Sequence, residues 1–186
     1  METKRITRDR LTELMDYNRE TGELIWKCNR GRVRKGDVAG SLDSWGYLQV
    51  RIDGKSYQVH ILIWLLESGE WPSREIDHWN TVKTNNRFGN LRLATRRQNA
   101  SNCEVRSHSK SGVKGVYQLP NGKFMASITV NRKSRNLGTF HEKIDAALAY
   151  AHAACKHFGD FVAPSTRELA RSDSLLMSIE SYGASL

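Results

Sequence analysis

An aspartate followed at once by a histidine, Asp77-His78, with asparagines at positions 90 and 99, sets a carboxylate, an imidazole and two amides in one short stretch of chain. These are groups that phosphodiester hydrolysis can use. Cleaving a phosphodiester near neutral pH takes a nucleophilic water, neutralisation of charge on the scissile phosphate, and help for the departing sugar oxygen. A divalent metal supplies the last two. A hard cation such as Mg²⁺ prefers oxygen ligands and keeps several waters, so one carboxylate and one amide oxygen are a sufficient protein anchor once phosphate completes the sphere. Asp77 and Asn99 suit that role, with Mg²⁺ the expected ion and Mn²⁺ the alternative. His78, whose ordinary pKa is near 6.5, can accept the water's proton, and Asn90 can hold the imidazole or its loop in place. Taken singly, each residue has a plainer role. Asn85 and Asn86 read as turn residues, since Asn tolerates left-handed backbone and bonds its own main chain. His60, just ahead of an apolar run, reads as packed and hydrogen-bonded.

The elements that must position these residues follow from the flanking pattern. Glu75 to Trp79 forms a short strand, Asn80 to Asn90 is too polar for anything but a loop, and Leu91 to Ala94 makes a second strand. Thr95-Arg96-Arg97-Gln98 has the spacing of a capping box, so a helix starts there and runs past Asn102. Upstream, Ile6 to Met15 reads as a short helix with Thr7 before it, and Tyr17 to Trp26 as a tight turn at Gly22 feeding a strand. Residues 46–52 and 56–59 alternate around Asp53-Gly54, a hairpin signal, and His60 to Glu67 is a buried helix closed by Gly69.

The whole chain has 186 residues and a formal net charge of +9, with a pI near 9.7, which favours a polyanionic partner over an acidic small molecule. It carries no apolar run of the roughly 18 to 20 residues needed to span a bilayer, and no signal-peptide core follows Met1, so a cytosol-like compartment and no membrane partner are expected. Cys28, Cys103 and Cys155 are an odd, scattered set with no C-x-x-C pair, so neither a disulfide framework nor a structural zinc site is indicated.

After the polar, aperiodic stretch 106–112 the charge becomes one-sided. From Arg106 to Lys143 stand Arg106, Lys110, Lys114, Lys123, Arg132, Lys133, Arg135 and Lys143 against Glu142 alone. Three strands are predicted, over 114–119, 123–130 and 135–140, joined by turns at 120–122 and 131–134, then an alanine-rich helix over 142–158. On the middle strand Phe124, Ala126, Ile128 and Val130 share one face, and Lys123, Met125, Ser127 and Thr129 the other. The apolar side can pack on the helix while the polar side meets DNA, with phosphate contacts from Lys and Arg. One further short helix is expected after Thr166, around Leu175, Leu176, Met177 and Ile179. The predicted division is therefore 1–105, a linker over 106–112, a domain over 113–165 and a tail over 166–186.

Two resemblances sharpen these expectations. Val59-His60, Ile76-Asp77-His78, Asn85-Asn86-Arg87, Asn90-Leu91-Arg92, Ala94-Thr95 and Asn99, together with Tyr17, Thr21-Gly22, Trp26, Gly40, Gly46-Tyr47 and Trp64 upstream, resemble the HNH endonucleases. The likeness covers about residues 14 to 102 and is to the phage and intron-homing subgroup, which has asparagine in place of the last histidine. It implies a ββα-metal fold in which Asp77 and Asn99 bind one metal, His78 is the general base and Asn90 orients it. Trp79-Asn80-Thr81-Val82 departs from the acidic or glycine-containing turn of many members. The second resemblance rests on Gly112 to Tyr117, Gly122-Lys123-Phe124, Ala126-Ser127-Ile128, Asn136 to Phe140, Ala146 to Tyr150 and Phe158-Gly159. These are similar to the Apetala/ethylene-response-factor type DNA-binding domain, over about residues 109 to 164. That likeness implies a three-stranded antiparallel sheet on one helix, with Lys114, Tyr117, Lys123, Ser127, Thr129 and Asn136 on DNA and the basic Arg132 and Arg135 beside them. The combined expectation is an α+β chain that cuts double-stranded DNA, in bacterial host cytoplasm if phage-encoded. One site per chain would nick one strand, so cutting both would need a homodimer or a second binding event. The rival is a DNA-binding regulator with an idle HNH fold.

Overall fold

Thr7 accepts a hydrogen bond from the Arg10 amide and starts α1 (Arg8–Leu14), whose buried face is Leu11 and Leu14. The helix stops one residue short of the predicted end, because Met15 already begins β1 (Met15–Asn18), antiparallel to β2 (Glu23–Trp26). The segment predicted to be a turn feeding one strand is thus a full hairpin. Asn18 builds its turn, Oδ1 accepting from the amides of Glu20 and Thr21. β3 (Val38–Ala39) completes this three-stranded sheet, and β4 (Ser41–Leu42), β5 (Leu48–Ile52) and β6 (Lys55–Gln58) form a second. Asp53 and Gly54 both have positive φ, 47° and 82°, the twist that a two-residue hairpin turn requires.

α2 (Val59–Ser68) buries Val59, His60, Leu62, Ile63 and Leu65 and ends on left-handed Gly69. β7 (Glu75–His78) then pairs antiparallel with β8 (Leu91–Ala94), and a single 3-10 turn, Phe88–Asn90, closes the loop between them. Ile76 and Leu91 join Leu11, Met15, Leu24, Ile52, Leu62 and Ile63 in one core. Burying such side chains is worth about 1.5–3 kcal/mol each. The strands that carry Asp77 and His78 are pinned by that burial. α3 (Arg96–Ser101) follows β8.

The computed structural model describes residues 5–105 and 109–183, with side chains up to 174. The predictions for Met1, for Arg106 within the linker, for the side chains of Leu175, Leu176, Met177 and Ile179, and for the last three residues of the tail lie outside the described residues. Contacts divide the chain into two units, Met1–Arg96 and Arg97–Leu186, a division that falls ahead of the linker predicted over 106–112. Lys114 gives the reason. Its Nζ donates to the carbonyls of Ala100, Ser101 and Cys103 at 3.3, 2.8 and 2.8 Å, which terminates α3 at Ser101 instead of beyond Asn102 and ties that stretch to the second unit. Ser165 adds a hydrogen bond to Glu104 at 2.6 Å.

In the second unit β9 (Val116–Gln118), β10 (Phe124–Val130) and β11 (Lys133–Phe140) form an antiparallel sheet in the order β11-β10-β9. Buried Ala126, Ile128 and Val130 face α4 (Lys143–Phe158), which buries Ala146, Ala147, Tyr150, Ala151 and Ala154. At Gly115, φ is +71° and an added Cβ would lie 2.1 Å from the Tyr150 ring, so only glycine admits that tyrosine. Asn131 and Arg132, both at positive φ, make a two-residue turn, so β11 begins at Lys133 rather than Arg135. α5 (Pro164–Gly183) is a long helix where the sequence predicts a short one. Its polar residues hide the helical period, and it buries Arg167 and Ala170. The chain is a mixed α+β protein of small antiparallel sheets and helices.

Candidate active site

The β7–β8 register decides what meets what. Asp77 lies opposite Arg92 and His78 opposite Leu91. Directly opposed side chains on one face of a sheet touch. Arg92 Nε therefore donates to Asp77 Oδ2 at 2.8 Å, and Nη2 lies 2.7 Å from the same oxygen. Asp77 and His78 are both buried, 4% exposed.

His78 Nε2 lies 2.9 Å from Asn86 Oδ1. With Oδ1 accepting, Nε2 carries the proton and Nδ1 is the basic nitrogen. Burial pushes the imidazole below its ordinary pKa, while the Asn86 bond and the Asp77 charge oppose that shift and Lys83 adds to it. The ring is thus held neutral near pH 7, the form a general base needs.

Asn86 is the residue that sequence reasoning missed. Predicted to be a turn residue, it is fully buried. Two distant residues place it there: the Tyr17 hydroxyl donates to the Asn86 carbonyl at 3.2 Å and accepts from the Phe88 amide at 2.8 Å. Gly22, at φ +81°, packs so closely that a Cβ would lie 2.5 Å from the Arg87 nitrogen. Arg87 in turn bonds the Glu20 carbonyl. Asn85 does behave as a turn residue, Oδ1 accepting from the Arg87 amide at 3.4 Å. The available signal was the amide pair itself, two residues ahead of Phe88, which packs on the core.

Asn90 meets the loop. Its Oδ1 accepts from the Asn80 amide at 3.1 Å, its Nδ2 donates to the Asn85 carbonyl at 2.7 Å, and its own carbonyl accepts from the Trp79 amide at 2.8 Å. The start and the middle of the loop are fastened to one side chain. Within that loop Thr81 sits at φ +64°, a left-handed conformation that a β-branched residue rarely takes. It stands in the stretch where many HNH members carry an acidic or glycine-containing turn.

Behind His78 stands a second imidazole. His60 is buried, its ring 5.1 Å from His78 edge-to-face and 5.2 Å from Tyr47, which is itself 5.9 Å from His78. The sequence predicts a packed and hydrogen-bonded histidine; the packing is present, but Nδ1 has no hydrogen-bond partner among the described residues. Burial, with the neighbouring His78, pushes its pKa down to about 3. It is a neutral ring in the working range of pH.

The predicted metal ligands are divided between the units. Asp77 belongs to the first; Asn99 is half-buried on α3, in the second. No cluster of three or more His, Cys, Asp or Glu side chains suited to a metal occurs among the described residues. A hard cation that keeps most of its waters fits a donor set of one carboxylate and one amide.

The sequence model of the HNH endonuclease family matches residues 57–101. An uncharacterized HNH endonuclease of Acanthamoeba polyphaga mimivirus is 32% identical over 139 residues, 67% of this chain and 72% of its own length. The chain belongs to the HNH endonuclease family. No solved structure matches it. The family match in this HNH protein begins in β6, takes in α2, β7, the 79–90 loop and β8, and ends in α3. It therefore covers Asp77, His78, Asn86, Asn90 and Asn99, and stops short of the second sheet. The likeness to an Apetala-type domain has no counterpart in these comparisons.

In that second sheet the register sorts the remaining candidates. Tyr117 pairs with Met125 and Asn136 with Ser127, so Tyr117, Ser127, Thr129 and Asn136 share the face turned from α4. Tyr117, Thr129 and Asn136 are exposed there and Ser127 is half-buried. Asn136 Oδ1 accepts from the Gly138 amide across a bulge at residue 137. Arg135 pairs with Ile128 and so belongs to the other face, although exposed; Arg132 sits at the exposed turn and Lys123 just before β10. Lys114 differs most from its expected role, since its ammonium sits on α3 carbonyls. No described helix is long and apolar enough to cross a membrane.

Proposed function

We propose that this chain is a divalent-metal-dependent DNA endonuclease of ββα-metal type, with His78 as the general base. The observation that carries this reading is the buried, neutral His78, its Nε2 fixed by Asn86 beside Asp77, on the strand–loop–strand–helix that the family match covers. Asn86 fixes the tautomer and ring plane, leaving Nδ1 to take the proton of the attacking water. Asn90 and the Tyr17 hydroxyl hold the loop so that this geometry exists before substrate arrives, sparing reorganisation at the moment of reaction. The Asp77 carboxylate and the Asn99 amide are the oxygens that would hold the metal, Mg²⁺ or Mn²⁺. When bound, it would neutralise charge on the scissile phosphate and on the departing oxygen. The second unit offers Tyr117, Ser127, Thr129 and Asn136 on one sheet face with Arg132 at its turn, a surface suited to phosphate and groove contacts on duplex DNA. One site per chain nicks a strand, so cutting both takes a dimer or a second encounter.

A supercoiled plasmid tests this directly. The wild-type chain is expected to nick it in Mg²⁺ and not in chelator, and His78→Ala to bind DNA while losing cleavage by at least about 100-fold, the low end of a general base's contribution. Equal cutting by His78→Ala sinks the assignment. One observation favours a second reading, a DNA-binding regulator with an idle HNH fold. The Arg92 guanidinium already engages Asp77 Oδ2, where a cation would be expected. Tight binding at one operator with no metal-dependent cutting would decide for it.

A further inference from the structure

The β4–β5 hairpin holds an indole out into solvent two residues before Tyr47, whose ring lies 5.9 Å from that of His78. Trp45 is 75% exposed, yet its backbone is held on both sides of the residue. Asp43 Oδ1 accepts from the amides of both Trp45 and Tyr47, at 2.8 and 2.9 Å, and Gly46 turns the chain at φ +82°. Those bonds hold the Asp43 carboxyl below its usual range. A second anchor comes from the loop after His78. Lys83 Nζ donates to the Trp45 carbonyl at 2.8 Å and stands 4.7 Å over the Tyr47 ring, the ring that also lies against His78. The hairpin tip and the catalytic loop are therefore one braced structure. That loop adds two more exposed apolar side chains, Trp79 at 45% and Val82 at 49%.

A large indole carried into water on a braced backbone contributes little to the fold, so its use lies in what it meets. The occupant must be chemically suited to an aromatic face beside an ammonium group and next to a base that acts on a phosphodiester. Duplex DNA meets all three conditions. Its phosphates suit Lys83 and the +9 chain, and every base offers a π-face for stacking. We infer that Trp45 contacts substrate DNA at the cut site, inserting against a base step and opening the stack next to the scissile phosphate. This rests on the nuclease reading above. The energetic logic is that of other apolar wedges: unstacking is offset by the bent or widened DNA surface it exposes to the protein.

The test needs no knowledge of the target sequence. A closed circular plasmid is relaxed by a topoisomerase in chelator around the full chain carrying His78→Ala, and the change in linking number is read on a gel. The parent should unwind the plasmid, Trp45→Ala should lose most of the shift, and Trp45→Phe, which keeps a ring, should retain most of it. Val38→Ala, at another exposed apolar position, in β3, should leave it unchanged. No shift from the parent, or equal shifts from the parent and Trp45→Ala, overturns the inference. So does a loss that Trp45→Phe shares, which would point to the indole N–H rather than to stacking. Nicking by wild-type chain in Mg²⁺ is scored separately, so failure of the nuclease reading and failure of the wedge are distinguishable.

Discussion

At the scale of single residues, the site is a set of polar groups buried more deeply than polar groups usually are. Asn86 shows what that achieves: its Oδ1 holds His78, while its Nδ2 has no hydrogen-bond partner among the described residues. Leaving a buried donor unmatched costs about 1–3 kcal/mol, and such exceptions concentrate at working sites. Asn86→Ala should therefore lower the nicking rate about tenfold or more through a mispointed imidazole, with little change in DNA affinity. A rate equal to wild type would remove Asn86 from the machinery. His60 gives a pH prediction whose sign follows from linkage. Its folded pKa is about 3 and its unfolded value near 6.5, so between these the unfolded chain binds a proton that the folded one refuses. Stability is complete above pH 6.5 and is lost as pH falls, by up to about 1.4 kcal/mol per pH unit for one such group. His78, shifted in the same direction, adds to the loss. Urea melts at pH 7 and pH 5 should show a smaller drop for His60→Leu than for wild type; equal drops would mean that His60 is protonated in the folded chain.

At the scale of elements, the β7–β8 pair does two jobs, and Arg92 exposes both. Its guanidinium compensates the buried Asp77 carboxylate across the ladder, so Arg92→Ala leaves a charge with less compensation in a dry place and should destabilise the chain by about 3 kcal/mol. If Asp77 is a metal anchor, Mg²⁺ should restore much of that loss, raising the melting temperature of Arg92→Ala more than that of wild type. An equal Mg²⁺ response in both would argue that Asp77 serves the fold alone. These strands were legible in the sequence because their apolar residues are local and periodic: Ile76 and Leu91 point to the core, and a hairpin leaves Asp77 and His78 on the strand before the loop. The Asp53-Gly54 turn and the Gly69 helix end were legible for the same reason, since each depends on backbone preferences of one or two residues. The inner wiring of the loop was not legible. Asn86 is buried because Tyr17 and Gly22, on the far-off β1–β2 hairpin, close over it, and no local pattern carries that information. The end of α3 was hidden likewise, being set by Lys114 from beyond the apparent linker.

At the scale of the whole molecule, a net charge of +9 belongs to a chain of two units, and duplex affinity is proposed for both. Charge-driven affinity has a measurable signature. Each phosphate neutralised releases condensed counterions, so log K falls with log salt with a slope of about −0.9 for every phosphate contacted on duplex DNA. Arg132 is the side chain best placed in the second unit to make one such contact, because the two-residue turn thrusts it out at positive φ beyond the end of the sheet. Arg132→Ala should reduce the magnitude of that slope by about one, in anisotropy titrations with labelled duplex between about 50 and 200 mM salt. Removing a phosphate contact should not touch the chemistry, so with protein in excess at low salt the variant should nick plasmid at the wild-type rate. His78→Ala should show the reverse, an unchanged slope and no nicking. A slope unaltered by Arg132→Ala would take the turn of the second sheet off the phosphate backbone, and with it the reason for assigning that sheet to DNA.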